Sequence, residues 1–260
     1  MIIRVDTLSH IITDTSNVLG ISEDSLLMDI QHIDWNMGDI KGYEYIKQHH
    51  PKELTQIYIC HLARKLSTDT NTVLLPLQRV LLTQNAFTDF LKTYKVEFFL
   101  QGNGSISIVH NGNPIAWENC DNPLFNVARF RNRLSFDYAI NGFQFLYDIE
   151  HSAQNRNIYW KAPEFLQDLS FLLSKDLATI FQEHSSNYVA LCLVSKDNIQ
   201  FDCTISHTFD EVYIYSALRY IAGYCCKKKY SGDNPRLRVS DNLNVQVNKW
   251  IPEEEIPCQP

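Results

Sequence analysis

A stretch of short strands and glycine turns in the middle of the chain restricts the fold more than any other feature. Residues 96–101 and 105–110 are strand-like segments separated by Gly102-Asn103-Gly104. A second turn, Asn111-Gly112-Asn113, precedes residues 114–117. Asn and Gly readily adopt the left-handed backbone that tight hairpin turns require. The sequence therefore predicts three antiparallel strands joined as a β-meander.

Helical patterns and apolar runs surround the meander. Pro76 and Pro163 each open a helical pattern, a position at which proline is favoured. The first pattern is interrupted near Asn85, and the second predicts one long helix that continues to Phe181. The remaining predicted elements are a buried strand or helix end at 57–62, strands at 188–194, 198–203, 237–239 and 244–247, and an amphipathic helix at 210–224. These elements predict an α+β fold with a mostly antiparallel sheet and packed helices.

The length of the chain suits a single main domain. It has 260 residues, of which 45% are hydrophobic and 20% charged, enough to bury a sizeable core. We expect the main α+β domain to span residues 51–250. Residues 1–50 are expected to form an N-terminal arm or a small subdomain, and residues 251–260 an acidic tail.

The charge of the chain argues against the binding of duplex nucleic acid. The net charge is −7, and no run of four basic residues occurs. Contacts with many phosphates need a local excess of Lys and Arg. A protein target or partner is the expected macromolecular contact, and the sequence leaves the oligomeric state open.

Cysteine usage and the N-terminal segment indicate a cytoplasmic protein. The seven cysteines form no Cys-x-x-Cys pair, which fits reduced thiols better than disulfides and predicts no metal site. Charged residues interrupt the first 20 positions, and no run of 18 apolar residues follows. We therefore expect no membrane contact, and delivery into a host cell remains open.

Several catalytic motifs are missing from the sequence. It contains no Walker-type phosphate loop, no Gly-x-Gly-x-x-Gly, no His-Glu-x-x-His and no Gly-x-Ser-x-Gly. Arg4 and His10 have the spacing of a HEPN-like ribonuclease motif, but their segment is predicted as strand or turn rather than helix. Cys60 and His61 are adjacent, so their side chains point in different directions and cannot form a nucleophile and base pair.

Three arginines alternate at Arg129, Arg131 and Arg133. On a strand they would share one face and could bind an anionic group such as a pyrophosphate. The alternative is that they pair with nearby acids, namely Asp137, Asp148 or Glu150.

A further group of residues carries a resemblance to a known family. His61 ends an apolar segment, the aromatic residues Phe136, Tyr138, Phe143 and Phe145 follow in the middle of the chain, and Ser185-Ser186-Asn187 precedes the apolar run 188–194. In outline, residues 57–202 resemble the ADP-ribosyltransferase-like fold of bacterial toxins, effectors and defence factors. In that family a His ends the first strand, an aromatic ring lies beside the nicotinamide, and a late strand carries a carboxylate.

The resemblance implies NAD as a substrate and a set of site residues. Cleavage of the bond between nicotinamide and ribose develops oxocarbenium charge, which a carboxylate stabilises. Residues 188–194 contain no Asp or Glu, so Glu164, Glu183 or Glu211 would have to supply that charge. We take His61, Tyr138 and Glu164 as the catalytic candidates. The candidate NAD contacts are Arg64, Arg131, Arg133, Phe143, Phe145 and Ser186.

Two other classes of function fit the same sequence. One is a non-enzymatic protein-binding module, such as an effector, immunity or inhibitor protein. The other is a nuclease or another hydrolase whose site the motifs do not reveal.

Overall fold

Helices and antiparallel strands make up most of the chain. The computed structural model of the protein describes residues 1–35, 40–146, 162–202, 206–225 and 234–256. Within these ranges the α-helices are α1 (Leu8–Leu19), α2 (Glu23–His32), α3 (Ile40–His49), α4 (Leu77–Leu82), α5 (Ala86–Thr93), α6 (Val127–Phe136), α7 (Glu164–Leu173), α8 (Leu177–Glu183) and α9 (Phe209–Cys225). The strands are β1 (Gln56–Leu66), β2 (Val73–Leu74), β3 (Val96–Leu100), β4 (Ile106–His110), β5 (Asn113–Pro114), β6 (Asn141–Phe143), β7 (Ser185–Ser195), β8 (Ile199–Phe201), β9 (Arg236–Val239) and β10 (Val245–Pro252).

A seven-stranded sheet forms the centre of the fold. Its strand order is β2-β10-β7-β1-β6-β9-β8, and every described pair is antiparallel. The longest ladder joins β1 to β7, from Gln56 opposite Ser195 to Leu66 opposite Ser185. A second sheet, in the order β3-β4-β5, is the meander predicted from its glycine turns. The prediction of an α+β fold with a mostly antiparallel sheet is confirmed.

The buried side chains form two clusters. The larger one combines the central sheet with α9 and with apolar residues of the first 50 positions, among them Ile11, Ile30 and Ile46. The smaller one lies among α4 to α8 and the inner side chains of β3 and β4. Leu66, at the end of β1, belongs to the smaller cluster, whereas Ile59 belongs to the larger. The strand β1 therefore runs from one cluster to the other.

The long helix predicted from Pro163 to Phe181 is wrong, because two helices occupy this segment. Ser174 ends α7 in the left-handed conformation, with φ of 50°. The Asp176 side chain then accepts a hydrogen bond from the Thr179 amide and caps α8. Polar residues that can end one helix and cap the next outweigh an uninterrupted apolar periodicity.

The arginine segment is a helix and not a strand. The Asn126 side chain accepts a hydrogen bond from the Arg129 amide and starts α6. In a helix Arg129 and Arg133 lie one turn apart on one side, whereas Arg131 points elsewhere. The three guanidinium groups consequently do not form the common face that a strand would give them.

Two shorter segments also differ from the prediction. His10 lies in α1, which Thr7 caps, rather than in a strand or turn. The third strand of the meander has two residues, and Trp117 lies in a short 3-10 turn. Asp148 and Glu150, proposed above as ion-pair partners, and residues 257–260 of the acidic tail lie outside the described residues. Across the described ranges, no helix combines the length and apolar character needed to cross a membrane.

Candidate functional site

A cavity of about 660 Å³ lies beside the second half of β1. Along one edge β1 pairs with β7 over its whole length, but on the other edge Cys60 opposite Phe143 is the single pair described. Beyond this pair the chain before β6 separates from β1, and α4, α6 and the start of α7 contribute to the walls. A volume of this size is typical of pockets for small molecules and cofactors.

Five of the nine sequence-predicted site residues line this cavity. They are His61, Arg64, Arg133, Phe143 and Glu164. They come from β1, β6, α6 and the first residue of α7, which are up to about a hundred positions apart in the sequence. The cavity is therefore a product of tertiary packing.

The His61 side chain is fixed by one hydrogen bond. Its Nδ1 lies 2.6 Å from the carbonyl oxygen of Asn141, just before the point where β6 approaches β1. A carbonyl oxygen can only accept a hydrogen bond, so Nδ1 carries the hydrogen and donates it, and Nε2 of the neutral ring bears the lone pair. The pKa of His61 is lowered from its ordinary value because burial disfavours the imidazolium, although the Asn141 carbonyl and the charge of Asp137 oppose this effect. His61 is thus a neutral imidazole with a basic nitrogen at the cavity.

Gly142 allows the approach of β6 to β1 that brings Asn141 to His61. A Cβ atom at this position would lie 2.9 Å from the carbonyl oxygen of Cys60. This distance is shorter than side-chain carbons tolerate against a backbone oxygen. Asn141-Gly142 has the sequence pattern of a tight turn, whereas the role of Gly142 in the structure is the close contact between two strands.

Two carboxylates in the cavity are held by one arginine. The Arg133 guanidinium donates a hydrogen bond of 2.8 Å to Asp137, one helical turn later, and a second to Glu164 at the start of α7. Burial works against the charge of Arg133, but the hydrogen bonds and charges of both acids outweigh it and raise its pKa. Arg133 therefore links α6 to α7 and positions both carboxylates in the wall.

Arg64 has a structural role although it lines the cavity. Its guanidinium donates to the Ser185 hydroxyl and carbonyl, to the Asn187 side chain and to the Gln182 carbonyl. Burial lowers its pKa, and the charge of Glu253 opposes this. These contacts fasten the end of α8 and the start of β7 to β1.

The other four predicted residues do not line the cavity. Phe145 is buried and stacks on Tyr220 with ring centroids 4.4 Å apart. Arg131 is exposed and lies over the Trp117 ring, 5.9 Å from its centroid. Ser186 is exposed and lies opposite Lys65 in the ladder of β1 and β7. Tyr138 precedes β6, and its backbone carbonyl accepts a hydrogen bond from the Asn242 amide.

Sequence reasoning missed several residues of the cavity. Asp137 was predicted to be an arginine partner and not a site residue, although its spacing of four from Arg133 would place both on one helix face. Lys65 and Trp250 line the cavity from β1 and β10, and Arg236 and Asp202 line it from the β9 side. No local pattern marks these four, because they meet only through the sheet.

The cavity offers a base, apolar ring surfaces and four carboxylates, namely Asp69, Asp137, Glu164 and Asp202. The rings come from Phe87, Phe143, Phe165, Phe181 and Trp250. In the part of the chain that the structure describes, no group of three or more His, Cys, Asp or Glu side chains could hold a metal ion. Comparison of the chain with protein-family models, curated proteins and solved structures finds no match.

Proposed function

We propose that the protein is an ADP-ribosyltransferase-like enzyme that binds NAD in the cavity and cleaves the bond between nicotinamide and ribose. The observation that supports this most is the presence of His61, Phe143 and the carboxylates of Asp137 and Glu164 in one cavity. They supply the base, the aromatic ring and the negative charge that cleavage of the nicotinamide bond needs. They lie in segments that the sequence does not place together.

The carboxylates would stabilise the transition state. When the bond between ribose C1′ and the pyridine nitrogen breaks, its electron pair leaves with neutral nicotinamide and positive charge develops on the ribose. A fixed negative charge in a site shielded from water stabilises that oxocarbenium character. Glu164, hydrogen-bonded to Arg133, would supply the negative charge that residues 188–194 lack.

His61 would act on the nucleophile that attacks C1′. An incoming hydroxyl or water loses a proton as its oxygen forms the new bond, and the free Nε2 of neutral His61 can accept this proton. The hydrogen bond from Nδ1 to Asn141 holds the ring in the required tautomer. Phe143 offers an apolar ring for the nicotinamide on the same wall.

Nicotinamide release from NAD, followed by chromatography, tests this proposal. We expect His61→Asn to lower the rate by about 10² to 10⁴, the usual contribution of a general base. Glu164→Gln and Asp137→Asn keep the shape and hydrogen bonds of the side chains, and loss of the charge next to the ribose should cost about 10² to 10³ in rate.

The chain provides matched controls for these variants. His184 also places its Nδ1 2.8 Å from a backbone carbonyl, but it is exposed and does not line the cavity. Glu183 is an exposed carboxylate at the end of α8. His184→Asn and Glu183→Gln should leave the rate unchanged. Wild-type protein that neither binds NAD in calorimetry nor releases nicotinamide would refute the proposed function.

A second candidate function, the binding of a protein partner, is favoured by the strand β3. This strand lies at the edge of the small sheet, and its Phe99 and Leu100 side chains are 46% and 62% exposed. Edge strands with exposed apolar side chains can pair with a strand of another protein. If binding is the function, a Phe99→Ser, Leu100→Ser variant should lose its partner in a pull-down experiment. His61→Asn should retain that partner.

A further inference from the structure

At the far end of the cavity, a lysine lies on aromatic rings. The Lys65 ammonium is 4.2 Å from the centroid of the Trp250 ring and 5.9 Å from that of Tyr188. Both Lys65 and Trp250 line the cavity. A lysine over an indole face is an attractive pair, and both members remain accessible from the cavity.

The backbone of Asn71 fixes both side chains. Its carbonyl oxygen accepts hydrogen bonds from Lys65 Nζ at 3.3 Å and from Trp250 Nε1 at 3.2 Å. The Tyr188 ring meets Trp250 edge to face at an angle of 82°. The indole plane therefore has a set orientation before any ligand binds, which lowers the entropy cost of stacking on it.

The ammonium group of Lys65 can attract an anionic group of a ligand. Among the described residues, no carboxylate lies within ion-pair distance of its ammonium group. This differs from Arg133, whose charge is used by Asp137 and Glu164. An anionic ligand group can thus approach Lys65 without displacing an internal partner.

The sheet sets the distance from this pair to His61. Trp250 is opposite Ala190 on β7, and Ala190 is opposite His61 on β1. Opposed residues point to the same face of a sheet, and two strand spacings amount to about 10 Å. Ala190 itself is fully buried, but Ala63 lies between His61 and Lys65 on the same face of β1 and lines the cavity. Because its side chain is only a methyl group, one extended ligand can lie across Ala63 and reach both ends.

We propose that Lys65 and Trp250 form a second subsite, which binds the base and phosphate of a purine nucleotide. The indole offers a stacking surface, and the ammonium meets the phosphate. This inference rests on the proposed function, which identifies the complete ligand as NAD. The purine nucleotide would then be the half of NAD that lies away from the bond that breaks. The net charge of −7 favours a free nucleotide over a nucleic acid strand.

Calorimetry with the two separate halves of the ligand tests the subsite on the full chain. Adenosine monophosphate should bind wild-type protein, and Lys65→Met or Trp250→Leu should weaken it about tenfold or more. Trp250→Phe keeps a ring and should weaken it less than Trp250→Leu. Nicotinamide mononucleotide should show the opposite pattern, with binding reduced by Phe143→Leu and unchanged in Lys65→Met.

Lys175 provides the matched control. Its ammonium lies 4.4 Å from the centroid of the Tyr94 ring, in the same kind of contact but outside the cavity. Lys175→Met should therefore leave the affinity for adenosine monophosphate unchanged. Circular dichroism of each variant verifies that it is folded.

The possible outcomes separate the two proposals. Adenosine monophosphate that does not bind, or binds equally to wild type and Lys65→Met, overturns the subsite and leaves NAD cleavage at His61 standing. Binding of adenosine monophosphate that depends on Lys65 and Trp250, without binding of nicotinamide mononucleotide, supports the subsite and refutes the proposed function. An oligoadenylate that binds more tightly than the mononucleotide would overturn the assignment to a free nucleotide.

Discussion

At the scale of single residues, His61 couples protonation to stability. Its pKa in the folded protein lies below the ordinary value of 6.5. Between the folded pKa and pH 6.5 the unfolded chain therefore binds more protons than the folded one. The contribution of neutral His61 to the free energy of unfolding is therefore complete above about pH 6.5 and is lost as the pH falls through the folded pKa. We expect His61→Gln to weaken the decline in stability below pH 6.5, measured by urea unfolding. A decline of equal slope in the variant would contradict the lowered pKa.

A second prediction at this scale concerns the pair of Arg129 and Asp168. Asp168 is fully buried, and both of its oxygens accept hydrogen bonds from the Arg129 guanidinium. Arg129→Met would leave a buried carboxylate without its cation, and removal of one partner of a buried pair costs about 3 to 5 kcal/mol. Because Arg129 is 43% exposed, we expect the lower end of this range in urea unfolding. Lys92→Met is the control, since its pair with Asp89 is exposed and 3.9 Å long.

At the scale of elements, the contact between β1 and β6 determines the shape of the cavity. Gly142→Ala places a Cβ atom 2.9 Å from the Cys60 carbonyl oxygen, and the strands have to separate. We expect a loss of about 1 to 3 kcal/mol in the free energy of unfolding. Weaker NAD binding should accompany it, because Asn141 moves away from His61. Gly102→Ala, in a turn with no atom within 4 Å of the added carbon, should change neither quantity.

At the scale of the whole molecule, the packing of the first 50 residues can be tested through Gly42. Alanine favours a helix over glycine by about 1 kcal/mol, but a Cβ atom here would lie 2.3 Å from the Tyr215 ring of α9. The steric clash should outweigh the gain in helix propensity, so Gly42→Ala should lower the free energy of unfolding. Gln48→Ala, on the exposed face of α3, should not lower it. Because these helices share buried contacts with the sheet, circular dichroism and tryptophan fluorescence should report one common transition. Two separate transitions would indicate an independent N-terminal subdomain.

Local chemistry allowed several elements to be predicted from the sequence. The two Asn-Gly turns define the meander, Pro76 starts α4, and the side chain of Asn85 caps α5 where the pattern breaks. The apolar run 188–194 lies inside β7. Each of these features depends on residues within a few positions of one another, so propensity and pattern suffice. The same reasoning failed for α6, because alternation of arginines says nothing about helix capping at Asn126.

The candidate site could be predicted only in part. His61, Glu164 and Phe143 were predicted through the resemblance to ADP-ribosyltransferase-like proteins, but no pattern indicated that they share a cavity with Asp137 or Trp250. Their meeting depends on which strand lies beside β1 and on where β6 leaves it. Such contacts join residues far apart in the chain, and their free energy comes from burial in the whole fold. The sequence alone thus determined those local elements that turns and caps define, while packing of the sheet and helices selected the residues that surround His61.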